Sequence, residues 1–175
     1  YMNIHTSDNA GGATRGQLQP TSLSEYQVTM LPSSEVPPIE GLNSSATAKV
    51  SIYAARNAAG TVTSGTVLFD ATANFPSSVT FRGFHIHDGA AGVNGPVGID
   101  SGLNATNTVT FAGGVGDILV RINVGPENAA GVATIRSAID TPENHYLNLH
   151  TTVNTGGAVR AQLGTALGAP TVSRS

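Results

Sequence analysis

The 175-residue sequence contains no cysteine, so it has no disulfide framework, no thiolate nucleophile and no thiolate metal ligand. Any metal must rely on histidine, carboxylate, tyrosine or backbone oxygen. Charge is scarce as well: charged residues make up 11% of the chain, the formal net charge is −3 and Lys49 is the one lysine. No basic face is available to neutralise phosphates, which excludes nucleic acid as an expected partner. No apolar run approaches the roughly 20 residues that a transmembrane helix needs, and no segment reads as a basic-then-apolar leader. The start at Tyr1, inside a motif, is what a processed or truncated chain would show.

What is present points to β-structure. Hydrophobic residues make up 39% of the chain, glycine occurs 21 times, and threonine, serine, valine and alanine fall in short runs. Such a composition suits an all-β protein of about one domain. Low charge in such a chain often goes with an extracellular or surface setting, by association alone.

The chain opens with a near copy of a stretch close to its end. At a constant offset, residues 1–18 match residues 146–163 at 11 of 18 positions without a gap: Tyr1/Tyr146, Asn3/Asn148, His5/His150, Thr6/Thr151, Asn9/Asn154, Gly11/Gly156, Gly12/Gly157, Ala13/Ala158, Arg15/Arg160, Gln17/Gln162 and Leu18/Leu163. The repeated unit is a hairpin, too short to be a domain. The chain therefore divides into an extra N-terminal hairpin with its linker (1–20), one β-sandwich domain (21–165) and a frayed tail (166–175).

Strands are expected at 25–31, 46–55, 61–71, 79–87, 108–112 and 118–122, where apolar residues alternate or β-formers cluster between turn signals. Residues 33–43, with Pro37, Pro38 and Gly41, should be irregular. The glycine-, alanine- and asparagine-rich stretch 88–103 reads as a long structured loop. Val132, Ile135 and Ile139 have helical spacing, so a short helix near 132–140 is expected before Pro142. Strands at 145–151 and 158–163 close the domain. The pattern is that of an all-β Greek-key β-sandwich or barrel.

Side chains of a strand alternate between faces, so His85 and His87 share one face while Phe84 and Ile86 share the core face. Leu147 and Leu149 likewise face inward, leaving Tyr146, Asn148 and His150 outward. Three imidazoles, His85, His87 and His150, can then converge on one ion under the glycine-rich loop, copper preferred and zinc the alternative. His5, the copy of His150, can ligate only where another chain or domain supplies a His-x-His. His145 reads first as a polar residue without a function and second, from its closeness to His150, as a further metal ligand. Asp88 is a candidate acceptor behind a ligating imidazole. Arg160 either draws anions toward a metal or pairs with Asp88 or Glu143. Asn43-Ser44-Ser45 and Asn104-Ala105-Thr106 match the glycosylation acceptor pattern.

The run His85-Ile86-His87-Asp88-Gly89-Ala90-Ala91-Gly92-Val93-Asn94-Gly95-Pro96-Val97 is followed later by Tyr146-Leu147-Asn148-Leu149-His150-Thr151 and by Gly156-Gly157-Ala158-Val159-Arg160-Ala161-Gln162-Leu163. Together these resemble the chordin-type (CHRD) domain over residues 23–163. Ala161 stands where that family commonly has glycine. The resemblance implies an extracytoplasmic, secreted β-sandwich, and residues 1–18 then resemble the end of a preceding unit or a family hairpin put to another use. A weaker similarity links His85, His87 and Arg160 to copper-zinc superoxide dismutase, which uses a His-x-His for copper and an arginine beyond a glycine turn. The bridging histidine and zinc cluster of that family are missing.

Three functions remain. The first is an assembly protein, an oligomer or filament built by docking of residues 1–18 on a neighbour through strand addition. The second is a copper-binding module, and the third a dismutase-like redox enzyme. No Ser/His/Asp set or phosphate loop argues for another enzyme, and a non-enzymatic role is the expectation.

Overall fold

A computed structural model describes residues 1–18, 20–164 and 167. The hairpin β1 (Met2–Thr6) and β2 (Asn9–Gly16) forms a two-stranded sheet of its own, paired only with itself among the described residues. The domain then contains β3 (Thr21–Met30), β4 (Ser45–Arg56), β5 (Val62–Asn74), β6 (Val79–Asp88), β7 (Val97–Asp100), β8 (Val109–Phe111) and β9 (Val115–Val124). A helix α1 (Ala129–Asp140) leads to β10 (His145–Thr151) and β11 (Val159–Gln162).

Two antiparallel sheets make the sandwich. One has the order β3-β4-β5-β9; the other runs β11-β10-β6-β7, with β8 pairing the first part of β6. The chain passes from one sheet to the other between β5 and β6 and returns to pair β9 beside β5, a connection of Greek-key type. The expected all-β sandwich with one short helix is therefore the observed fold.

Alternation builds the core. On β4, Val50, Ile52 and Ala54 are buried; on β5 it is Val67, Phe69, Ala71 and Ala73. Phe69 meets Phe84 of the facing sheet with ring centroids 5.0 Å apart, and Phe75, Phe81 and Phe111 continue the aromatic seam. Each of these side chains removes well over 100 Å² of apolar surface from water, the dominant stabilising term. The helix begins at Asn128, whose side chain accepts from the Gly131 amide at 2.9 Å, and it buries Val132, Ile135 and Ala138. The Tyr26 hydroxyl on β3 donates to the Ala138 carbonyl at 2.7 Å and fastens the helix to the first sheet.

Two expectations are corrected. β3 begins at Thr21, four residues earlier than its composition suggests, because β4 is long enough to pair with it from Ala55 back to Ala46. Pairing across the sheet overrides the weak β-preference of Thr21-Ser22. Within the stretch read as loop, Val97–Asp100 forms a strand on β6, with Ile99 buried in the core. The tail expectation falls mostly outside the described residues, although Leu167 donates to the Glu25 carbonyl at 2.7 Å.

Candidate metal centre

The antiparallel register of β6 and β10 sets the site. Gly83 lies opposite His150, His85 opposite Asn148, and His87 opposite Tyr146, all on the face away from the sandwich core. That face is not open to solvent. All seven residues of β10 are buried, because the segment between β6 and β7 folds back over it.

The three imidazoles come together as their spacing predicts. Ring centroids lie 4.7 Å apart for His85 and His150, 5.5 Å for His85 and His87, and 5.7 Å for His87 and His150. One ligand nitrogen from each ring falls within 4.8 Å of the others. An ion held at about 2.0 Å by three imidazoles keeps its nitrogens roughly 3.3–3.5 Å apart, so small ring rotations complete the set.

Hydrogen bonds decide which nitrogens face inward. His87 Nδ1 is 3.0 Å from the Gly95 carbonyl and His150 Nδ1 is 3.0 Å from the Thr155 carbonyl. Since a carbonyl only accepts, both Nδ1 atoms carry the proton and both Nε2 atoms are left with a lone pair. In His85 the roles are reversed: Nε2 lies 3.5 Å from Asp100 Oδ1, and Nδ1 is the inward atom. His85 Nδ1, His87 Nε2 and His150 Nε2 are buried and have no hydrogen-bond partner. Three buried lone pairs without donors are what a cation needs and what a protein otherwise avoids. Burial also keeps these rings neutral. It pushes His85 down to about 4, helped by His150, and lowers His87 and His150 below the usual imidazole range.

The surrounding shell is dense. Tyr146 stacks on His87, centroids 4.7 Å apart and planes 8° from parallel. The Arg160 guanidinium lies over the Tyr146 ring, 3.4 Å from its centroid. Arg160 itself is 2% exposed. It donates to the carbonyls of Val93 at 2.8 Å and Ala90 at 3.3 Å and to Asn94 Oδ1 at 3.1 Å. Gln162 Nε2 donates to the Gly89 and Glu143 carbonyls, each at 2.7 Å. These bonds clamp the glycine-rich loop over the histidines, so Arg160 is a structural clamp in this arrangement, and neither Asp88 nor Glu143 supplies a carboxylate to it.

Asp88 sits elsewhere than behind a ligand. Its Oδ1 lies 3.0 Å from His145 Nδ1, and its Oδ2 accepts from Thr134 Oγ1 at 3.0 Å, which ties β6 to the helix. His145 is accordingly buried, and its imidazole faces this carboxylate rather than the three-histidine cluster. The acidic neighbour of a cluster histidine is Asp100, beside His85. His5 stands on the exposed hairpin, its Nδ1 2.7 Å from the Ala10 carbonyl.

Two participants escape sequence reasoning. Gly83 continues the 83-85-87 face, and a Cβ there would meet His85 Cε1 at 2.8 Å and His150 Cδ2 at 3.2 Å. Its signal was the period of two running back one step from the His-x-His. Glu35, from the irregular segment, is buried against Asn148, whose Nδ2 donates to Oε2 at 3.3 Å. Burial raises this carboxyl to about 7. Nothing local in the Ser33-Ser34-Glu35-Val36 run announces it.

A family model described as CHRD domain matches residues 26–163, most of the chain and all of the sandwich but the first five residues of β3, its histidine face included. No curated protein and no solved structure matches the sequence. Of the resemblances carried by the sequence, the fold, the two motifs and the family match agree on one: the chain belongs to the CHRD-domain family.

Proposed function

We propose that this chain is an extracellular CHRD-family assembly protein that joins a neighbouring unit through its N-terminal hairpin, in an oligomer or filament. The observation that carries this reading is the hairpin itself. Met2 and Ile4 are 66% and 59% exposed, whereas Leu147 and Leu149 at the matching positions are fully buried. A two-stranded piece with one uncovered apolar side is marginal in water and gains by joining a sheet. Deleting residues 1–20 is expected to leave monomers where the full chain gives larger particles in mass measurements; unchanged assembly would overturn the reading. An extracellular setting accords with the family and with the low charge, and no helix among the described residues is long and apolar enough to cross a membrane.

A second reading accompanies it: the domain binds copper. Three inward imidazole nitrogens without partners support it, and a set of three neutral nitrogens with no carboxylate suits copper(II), which such ligands hold more tightly than zinc. In a CHRD unit the ion would join β6 to β10 and stabilise the folded state by mass action. Titration with Cu(II) is expected to give one tight site per chain that is lost in His87→Ala. Equal uptake by both proteins would reject it.

A further inference from the structure

The hairpin β1–β2 reproduces the closing hairpin β10–β11 in conformation as well as in sequence. Asn3 pairs with Arg15 as Asn148 pairs with Arg160, and Ile4 with Thr14 as Leu149 with Val159. His5 Nδ1 faces the Ala10 carbonyl as His150 Nδ1 faces that of Thr155. Arg15 lies over the Tyr1 ring at 3.9 Å, and Arg160 over the Tyr146 ring at 3.4 Å. Gly12 and Gly157 share a positive φ, 122° and 133°.

The two copies differ at seven positions, and the placement of these differences is informative. Four lie on the side that faces the core in the domain: Met2/Leu147, Ile4/Leu149, Thr14/Val159 and Gly16/Ala161. Three lie in the turn: Ser7/Thr152, Asp8/Val153 and Ala10/Thr155. None falls on the opposite face, where Tyr, Asn, His, Arg and Gln are kept. In β10–β11 that face meets partners outside the hairpin: the histidines of β6, the loop that follows it, and Glu35. An idle hairpin needs no such set. A hairpin lying on a His-x-His strand followed by a glycine-rich loop needs all of it.

We propose that residues 1–18 are a second closing hairpin, which supplies His5 as the third imidazole of a copper site on a CHRD unit whose own β6 edge is unfilled. This rests on both readings above and names the acceptor that the first leaves open. Within one folded copy β6 is not that acceptor, since β10 already pairs along it from His145 to Thr151, and a second copy becomes one only where its own β10–β11 hairpin is displaced. The partner recognised is thus a strand with two alternate histidines, a loop offering carbonyls to Arg15 and Gln17, and a carboxyl group for Asn3.

The test gives the closing hairpin the sequence of the first, within the full chain. A chimera carries Leu147→Met, Leu149→Ile, Thr152→Ser, Val153→Asp, Thr155→Ala, Val159→Thr and Ala161→Gly, so that the first hairpin's sequence closes the domain. It is expected to fold, by circular dichroism and protease resistance, and to bind one Cu(II) within about tenfold of the parent, with binding lost on adding His150→Ala. A folded chimera that binds as poorly as parent His150→Ala overturns the inference while the parent's own site stands. A parent that takes up no copper rejects the metal reading and this inference together. If the full exchange fails to fold, the four core-side and three turn substitutions are tested separately, and failure of both halves to fold also overturns it. Refolding His150→Ala with Cu(II) locates the acceptor: uptake in particles of two or more copies, lost in His5→Ala/His150→Ala, assigns it to a second copy of this chain. Uptake by the chimera without such particles assigns it to a different CHRD unit.

Discussion

Tyr146 lies flat on His87, 4.7 Å between centroids, and holds that ring between itself and the metal face. Its hydroxyl accepts from the Gly95 amide at 3.1 Å, next to the carbonyl that fixes the His87 tautomer. Tyr146→Phe is expected to keep copper binding near the parent value, and Tyr146→Leu to weaken it by about tenfold or more, since groups that orient a ligand are worth that much. Competitive titration with a chelator of known affinity checks both.

Gly83 makes room for the cluster without touching a metal. Gly83→Ala brings a methyl within 2.8 Å of His85 Cε1 and must displace that ring or His150. The expected result is a folded protein with copper affinity reduced by about tenfold, on the same ground that ligand orientation governs affinity. Unchanged affinity would show that the rings converge less tightly than their centroids indicate.

The imidazole tautomers are open to direct measurement. At neutral pH without metal, ¹⁵N NMR is expected to report Nδ1–H for His87 and His150 and Nε2–H for His85. Addition of Cu(II) should broaden these three sets first and leave His145, which faces Asp88, less affected.

Glu35 gives the domain a pH dependence of predictable sign. Its folded value near 7 stands above the ordinary carboxyl value of 4.5, because burial disfavours the anion. The contribution is complete below about pH 4.5, where both states are protonated, and is lost as pH rises through 7. Glu35→Gln keeps an acceptor for Asn148 Nδ2 and adds a donor for Asn148 Oδ1, which has none. Thermal unfolding of Glu35→Gln from pH 5 to 8 is expected to lose this slope and to exceed the parent midpoint at pH 8.

Gly12 and Gly157 offer a paired comparison. A Cβ at either would press on the Asn side chain opposite, at 2.5 Å, from a positive φ. Gly157→Ala is expected to cost the domain about 1–3 kcal/mol, a fall of several degrees in unfolding midpoint. Gly12→Ala strains only the free hairpin and should leave that midpoint unchanged.

Most of the architecture was legible because its signals are local. Alternation over Val50, Ile52 and Ala54, and the run His85-Ile86-His87, fix which face each strand buries, and the helix followed from Val132, Ile135 and Ile139. What escaped depends on partners remote in sequence. Val97–Asp100 is a strand because β6 offers it an edge. Glu35 joins the site only because Asn148 is brought to it over 113 positions. The outward face of β10 became interior for the same reason: Arg160 and Gln162 bond a loop some 70 residues away. Alternation tells which side of a sheet a residue takes, and a loop's path decides whether that side stays wet.

Burial of β10 on both faces has a kinetic consequence. The strand that carries His150 sits between β6 and β11 and is among the last places where local opening can begin. The covering segment 89–96 has no ladder of its own; backbone bonds fix its two ends, and side-chain bonds of Arg160, Gln162, Tyr146, His87 and Asn94 hold the rest, Asn94 donating to the Val36 carbonyl. Were an ion bound at the three imidazoles, release of those bonds would open a route in or out long before the sandwich itself comes apart.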